Sequence, residues 1–557
     1  MQALSMIHRL TFSVVFAALV VCGLASGCTD MPNQGPRTAS YALAAPGETQ
    51  MGRLVQSRRV AARTHNDSGF RLLDTADGAF AARVALAEAA QSTLDLQYYA
   101  IHADGSTEVL LETVRRAARR GVRVRILLDD FNTTGANAQV LRLAFEPGVE
   151  MRLFNPLAGS RASLAGRIFT SLYDVERIQK RMHNKLFIAD DTWGIAGGRN
   201  LGDAYFGAGE ASNFVDMDVL AAGRVVQDMS ASFDRYWNDP LAYQVQTLLS
   251  KEDIEHLRKK PAEQARSSDA PPMAAVAPAG SPGNAMVLPA VTEAEFASAE
   301  RSPTDLNGVS LAWAPSLLLV DAPGKIGPGD DEADAGETVV DGLLGLMQKA
   351  SGDVLIVSPY FVPGAPMMKV FADLRARGVK VRVLTNSLAS NDAPAAHAGY
   401  RRYRHALLAM GVELHEMRSA GRSNSGDRRR GIRPWLGSGI GGSAGGASLA
   451  SLHSKMVIID RKLSAIGSMN LDLRSERKNS EVALLIRSPA LAAEATMLIE
   501  GTFVHNAYTL EQDAHGTLLW RAPPGATYGD ETSEPAASMM LKLLVDALSP
   551  FAPDAML

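Results

Sequence analysis

The sequence predicts an α/β protein built from two like halves, each a β-sheet covered by helices. Three observations carry that reading. A short pattern occurs twice: His183, Lys185, Asp190 and Asn200 answer to His453, Lys455, Asp460 and Asn470, every pair 270 positions apart. Strand-like and helix-like segments alternate in both halves, as βαβ units require. The run Arg120-Gly121-Val122-Arg123-Val124-Arg125 also matches Arg377-Gly378-Val379-Lys380-Val381-Arg382 at an offset of 257. About 13 extra residues must therefore enter the second half before its motif.

The chain opens with a leader unlike the rest. His8 and Arg9 precede an apolar run from Leu10 to Ala25, closed by Ala25-Ser26-Gly27-Cys28. That run is short for a membrane span and fits a secretory h-region. Its end resembles a bacterial lipobox, which implies cleavage before Cys28 and lipidation of that Cys. An ordinary secretory signal and a short uncleaved anchor are the competing readings. The only two cysteines, Cys22 and Cys28, both lie in the leader, so the body has no thiols to pair.

Residues 29–68 carry prolines and glycines without periodicity and read as a tether. Regular patterning starts at Asp77, with a helix to Gln91, a strand over Thr93–Ile101, a helix over Thr107–Arg120, a strand over Val122–Asp130 and a helix over Ala136–Phe145. Pro261–Pro303, rich in Ala, Pro and Ser, reads as a disordered insert. The second half repeats the theme: a strand at Asp353–Tyr360, a helix at Pro366–Arg377, a strand at Val379–Thr385. Ser419–Ser451 is a long Gly-, Ser- and Arg-rich loop. Its Arg428, Arg429, Arg430, Arg433 and Trp435 suit a lipid headgroup region, and a plain solvated loop fits equally. A helix over Pro489–Leu510 and a final one over Ala537–Leu548 complete the pattern. The expected division is 1–27 signal peptide of lipoprotein type, 28–68 tether, 69–245 first lobe, 246–310 linker, 311–510 second lobe and 511–557 tail.

Hydrophobic residues make up 46% and charged residues 21% of the 557, as in a globular protein, and the formal net charge of -4 argues against a general polyanion binder. The repeated motif points to phosphoryl chemistry. On a strand, His183 and Lys185 face one side together, as do His453 and Lys455. Asp190 and Asp460 have the opposite parity and fall at strand ends, which gives these motif members a supporting part. Gly197-Gly198 and Gly467-Ser468 are expected to turn the chain so that Asn200 and Asn470 return to the His side. One imidazole can attack phosphorus while the other moves protons, with Lys and Asn steadying the phosphoryl oxygens; the scheme demands no metal and no cofactor. Each imidazole needs its second nitrogen held. Asp216 is assigned to His183, with Asp218 at the same parity an open alternative. Glu481, which stands opposite Asp216 when the apolar runs are aligned, is the counterpart in the second half.

These residues resemble the phospholipase D superfamily, whose signature H-x-K-x4-D occurs twice in bilobal members. Here the resemblance extends to GGRN at Gly197 and GSMN at Gly467. It implies two lobes, each a mixed β-sheet flanked by helices and related by pseudo-twofold symmetry, with a phosphohistidine intermediate formed between them. Which His attacks is left open. The flanking words LDLQYYAIHAD at Leu94, SPYFVPG at Ser358 and TNSLASNDAPAAHAGYRRYRHAL at Thr385 are similar to bacterial cardiolipin synthases of the C type. That subgroup implies transfer of a phosphatidyl group to phosphatidylglycerol, phospholipid substrates, a membrane surface and no nucleic acid. Hydrolysis of phospholipid, or less readily of nucleic acid, is the rival reaction, and an envelope binding protein the non-enzymatic rival. His102 and His397, in the flanking words, either line the pocket or sit on the surface.

Overall fold

The computed structural model describes residues 37–159, 174–208, 213–251, 304–327, 338–419 and 450–549, with positions 161, 167–168, 253–255 and 257. The leader with Cys28, the Pro261–Pro303 insert and nearly all of the Ser419–Ser451 loop, its arginines and Trp435 included, lie outside the described residues.

The first half contributes strands β1 (Ser68–Leu73), β2 (Thr93–Tyr98), β3 (Arg123–Asp129), β4 (Val149–Phe154), β5 (Arg181–Met182), β6 (Leu186–Ala189), β7 (Trp193–Gly197), β8 (Asn213–Val215), β9 (Asp218–Gly223), β10 (Ala242–Gln244) and β11 (Ala312–Trp313). The second contributes β12 (Ser316–Val320), β13 (Asp353–Val357), β14 (Lys380–Asn386), β15 (Glu413–Met417), β16 (Ala450–Leu452), β17 (Met456–Ile459), β18 (Leu463–Gly467), β19 (Asn479–Ser480), β20 (Val482–Arg487), β21 (Ala507–Gln512) and β22 (Leu518–Arg521). They form two nine-stranded sheets, ordered β10-β4-β3-β2-β6-β7-β9-β1-β11 and β12-β20-β18-β17-β13-β14-β15-β21-β22. Read from opposite ends, eight strands correspond one to one, β1-β9-β7-β6-β2-β3-β4-β10 with β12-β20-β18-β17-β13-β14-β15-β21. In each, three strands run parallel (β2, β3, β4 and β13, β14, β15) and the motif hairpin joins them antiparallel. The sheets are therefore mixed, as expected.

The main helices are α1 (Gln50–Ala61), α2 (Ala76–Ala89), α3 (Gly105–Arg119), α4 (Arg224–Trp237), α5 (Gly364–Ala376), α6 (Pro394–Arg401), α7 (Pro489–Asn506) and α8 (Met539–Leu548). The start of α3 is fixed by Asp104, whose carboxylate accepts from the Thr107 N–H, so an exposed donor of the first turn is satisfied. Helices α2 and α3 cover the outer face of the first sheet and α5 that of the second, each over its own apolar core. A third core runs between the sheets. It joins Phe70, Leu186 and Val219 of the first half to Leu355, Ile458 and Leu484 of the second, with Val226 and Phe233 of α4 and Leu491 and Ala495 of α7. The halves are thus fused along an apolar seam, and the motif strands border it.

Three expectations need correction. Residues 37–68 are no free tether: α1 buries Met51 and Val55, while the N–H groups of Ala42 and Leu43 donate to Asp234 and Asp191, both 2.7 Å. Two apolar side chains one turn apart are enough to seat a short helix, a signal too sparse to show as periodicity. Gly135–Phe145 is a 3-10 rather than an α-helix. The helix from Pro489 stops at Asn506, because Ala507–Gln512 pairs with β15 and, through β22, carries the second sheet into the tail.

Candidate active site

The two His residues enter the site on crossed strand pairs. β5, just before His183, pairs in parallel with β19, just before Glu481. β16, just before His453, pairs in parallel with β8, just before Asp216. Backbone hydrogen bonds of 2.9 Å from the His183 N–H to the Ser480 carbonyl and from the His453 N–H to the Val215 carbonyl close each crossing. Asp129 and Asn386 pin the incoming strands in matched fashion: Met182 N–H donates to Asp129 at 2.9 Å, and Leu452 N–H to Asn386 at 3.0 Å.

This crossing overturns the assignment of Asp216 to His183. Glu481 lies 3.0 Å from His183 Nδ1 and Asp216 lies 2.7 Å from His453 Nδ1, so each half orients the imidazole of the other. The reason is that both carboxylates follow strands belonging to the opposite half's entry pair. Asp218 is settled as well: it pairs with Arg83 at 2.8 Å and Arg199 at 3.4 Å, away from either His.

All four groups are buried. Burial is the largest cause pushing His183 down to about 4 and His453 down to about 3; Glu481 and Asp216 oppose it, and the lysines reinforce it. Burial works against ionised carboxylates too. Even so, His453, Lys455 and Arg199 hold Asp216 below its usual range, and His183, Lys185 and Ser468 do so for Glu481. A carboxylate only accepts, so the neutral imidazoles carry their protons on Nδ1 and present an unprotonated Nε2.

Each motif Lys donates to the carbonyl of its own His, Lys185 at 2.8 Å and Lys455 at 2.6 Å. Burial pushes Lys185 down to about 7 and Lys455 below its usual range. The Asn200 amide is fixed by accepting from Ala100 N–H at 3.2 Å and donating to the Tyr205 hydroxyl at 3.0 Å. Asn470 Oδ1 has no hydrogen-bond partner among the described residues. Both His residues, Asn200 and Asn470 line one narrow cleft of about 50 Å3 with Tyr99, Tyr205, Asp392 and Arg474 among others. A wider groove between α1 and the 304–307 segment carries none of the motif residues.

Asp190 and Asp460 stand outside this lining. Asp190 accepts from the N–H groups of Gln91, Ser92 and Thr93, and Asp460 from those of Ser351, Gly352 and Asp353. They clamp the turn that leads into β2 or β13 onto the motif hairpin. The glycines do not turn the chain. That reversal is made by Asp190-Asp191 and Asp460-Arg461, all with positive φ between 49° and 53°. Gly197 and Gly467 instead end strands against a close neighbour: a Cβ would stand 2.1 Å from Asp218 Oδ1 at the first and 2.0 Å from the Val482 carbonyl at the second.

His102 and His397 fall outside the cleft lining. His102 stacks on Tyr205 with ring centroids 6.2 Å apart. His397 is fully buried beside Arg404 at 3.0 Å, in a charged knot with Glu534 of the tail. Sequence reading missed the cleft residues Tyr99, Asn132, Tyr205, Asp392 and Arg474. A signal was present for Tyr99, which sits just beyond the end of β2, and for Asp392, in the loop after β14.

A family model described as cardiolipin synthase, phospholipase D-like domain, matches residues 84–237 and 343–501. The chain belongs to this family. Cardiolipin synthase C of Escherichia coli K12 is 36% identical over 84% of this chain and 91% of its own length. Cardiolipin synthase A of Pseudomonas entomophila is 26% identical over 80% of this chain and 71% of its own. In fold, phosphatidylserine synthase of Haemophilus influenzae superposes with a TM-score of 0.55 at 13% identity, covering 90% of this chain and all of that one. The two matched segments of the family model fall one in each half, so the duplication read from the motifs is a duplication of the family's domain.

Proposed function

We propose that this family member is a phosphatidyltransferase that makes cardiolipin, or a related phospholipid, by moving a phosphatidyl group onto phosphatidylglycerol through a phosphohistidine. The observation carrying this reading is the pair of carboxylate-held imidazoles facing one cleft. One Nε2 attacks the donor phosphorus and the P–O bond to the donor headgroup breaks. The other imidazole, protonated once an anionic phosphodiester raises its proton affinity, gives its proton to the leaving oxygen. It then takes a proton from the acceptor hydroxyl as that oxygen attacks phosphorus and the P–N bond breaks. Lys185, Lys455, Asn200 and Asn470 steady the phosphoryl oxygens as charge builds. Asp190 and Asp460 act only through the turns they clamp.

The exposed apolar face of α8, with Met539, Met540 and Leu543, supports work at a membrane surface, and the leader supports anchoring through a lipidated Cys28. No helix among the described residues is long and apolar enough to cross a membrane. A Cys28→Ser chain that stays in the membrane fraction would remove lipidation from this reading.

The test incubates purified protein with vesicles of phosphatidylglycerol, alone or mixed with a second phospholipid, and resolves products by mass spectrometry. Cardiolipin is expected from the wild type and from neither His183→Ala nor His453→Ala. Phosphatidic acid as the sole product would make the chain a hydrolase.

A further inference from the structure

The end of β14 and the loop after it are bound to the strand that delivers His453. Asn386 Nδ2 donates to the Leu452 carbonyl at 2.9 Å, and the Ser451 hydroxyl donates to the Ser390 carbonyl at 2.6 Å. Asp392 is thereby set in the cleft wall with His453 and Asn470. Tyr360 donates its hydroxyl to Oδ1 at 2.7 Å, while Oδ2, screened from solvent, has no hydrogen-bond partner among the described residues. A buried acceptor left unpaired is costly, and a donor brought to this wall of the cleft would relieve it. Asp472, the other carboxyl of the lining, already accepts from Ser475 N–H at 2.7 Å.

We propose that Asp392 is a specificity-determining residue for the acceptor: its Oδ2 accepts a hydrogen bond from the hydroxyl adjacent to the one that attacks, so that the cleft selects a vicinal diol. This rests on the transfer reading above. A carboxylate repels the phosphate groups of both lipids, and neutral hydroxyls are the donors a glycerol headgroup offers. Vicinal oxygens lie about a hydrogen bond's length apart, so one hydroxyl can meet Asp392 while its neighbour meets the phosphorus. Water and a simple alcohol supply no second hydroxyl. On transfer the attacking oxygen forms the new P–O bond, the P–N bond breaks, and the proton goes to the imidazole that carries no phosphoryl group; the hydroxyl on Asp392 is unchanged. Burial pushes the Asp392 carboxyl up, while the Tyr360 hydroxyl and, more weakly, Lys455 pull it down.

The experiment supplies phosphatidylglycerol vesicles with isotopically labelled glycerol and ethanol as competing acceptors. Mass spectrometry then gives the ratio of diol-derived products (cardiolipin and labelled phosphatidylglycerol) to phosphatidylethanol. Asp392→Asn keeps the shape but turns Oδ2 into a donor, and the ratio is expected to fall 10- to 100-fold. Tyr360→Phe, which only loosens the carboxylate, should lower it a few-fold. A ratio within twofold of wild type in Asp392→Asn overturns the proposal. A wild type that releases only phosphatidic acid overturns the transfer reading and the acceptor site with it, a result told apart by the absence of cardiolipin before any variant is made.

Discussion

Each imidazole of the site is completed by a carboxylate from the other half, and this crossing makes a sharp prediction about single side chains. Asp216→Asn and Glu481→Gln keep size while removing the charge that holds Nδ1–H. Loss of the correct tautomer in a comparable triad costs on the order of 10,000-fold in turnover, and a fall of at least about 100-fold is expected here for each. The readout that tests the crossing is the imidazole Nδ1 proton resonance. In Asp216→Asn the signal of His453 should move while that of His183 stays, because Asp216 lies 2.7 Å from the former. A shift confined to His183 would restore the pairing within one half. The chemistry of these residues was legible in the sequence, since spacing repeats and strand parity are local. Which His a carboxylate serves was not legible, because it depends on strand pairs of two or three residues formed across 298 or 237 positions of chain.

At the scale of elements, the glycines show how a motif letter can be read correctly as required and wrongly as to cause. Gly197-Gly198 looked like a turn, yet neither has a positive φ; what they supply is room. At Gly198 a Cβ would stand 2.4 Å from Asp216 Oδ1, whereas at Gly467 it would meet the Val482 backbone. Position 468 is Ser where 198 is Gly, and its hydroxyl donates to Glu481. The same place thus spaces one carboxylate and binds the other. Gly198→Ala should displace Asp216 and cut turnover at least tenfold with a small change in urea midpoint. Gly467→Ala, which pushes strand against strand, should cost about 1–3 kcal/mol or more. Equal stability losses in the two variants would show that Gly198 serves packing alone. The element pattern itself was easy to read where helices were amphipathic and strands apolar, as at α3 and β3. It failed at α1, whose buried residues are too few, and at the α7 to β21 junction, where pairing with β15 on one side and β22 on the other decides the structure.

For the whole molecule, the seam between the halves is also where protons are bound differently in the folded and unfolded chain. His183 falls to about 4 and His453 to about 3, chiefly through burial. Between pH 7 and 5 an unfolded imidazole takes up its proton while these two do not. The unfolded state then binds more protons, so this contribution to stability is present above pH 6.5 and is lost as pH falls. Each His accounts for about 2 kcal/mol across that window. Burial acts oppositely on carboxyls elsewhere: Asp95 and Asp129 are raised to about 6 and Asp472 to about 7, which favours the fold as pH falls. The raw pH slope therefore mixes the two signs, and the difference between wild type and variant isolates the imidazole. His183→Asn should lose about 2 kcal/mol less than wild type between pH 7 and 5, measured by urea unfolding at both pH values. An identical pH dependence in the two proteins would mean that His183 titrates as an exposed imidazole does, and the neutral, Nε2-presenting form on which the proposed attack depends would go with it.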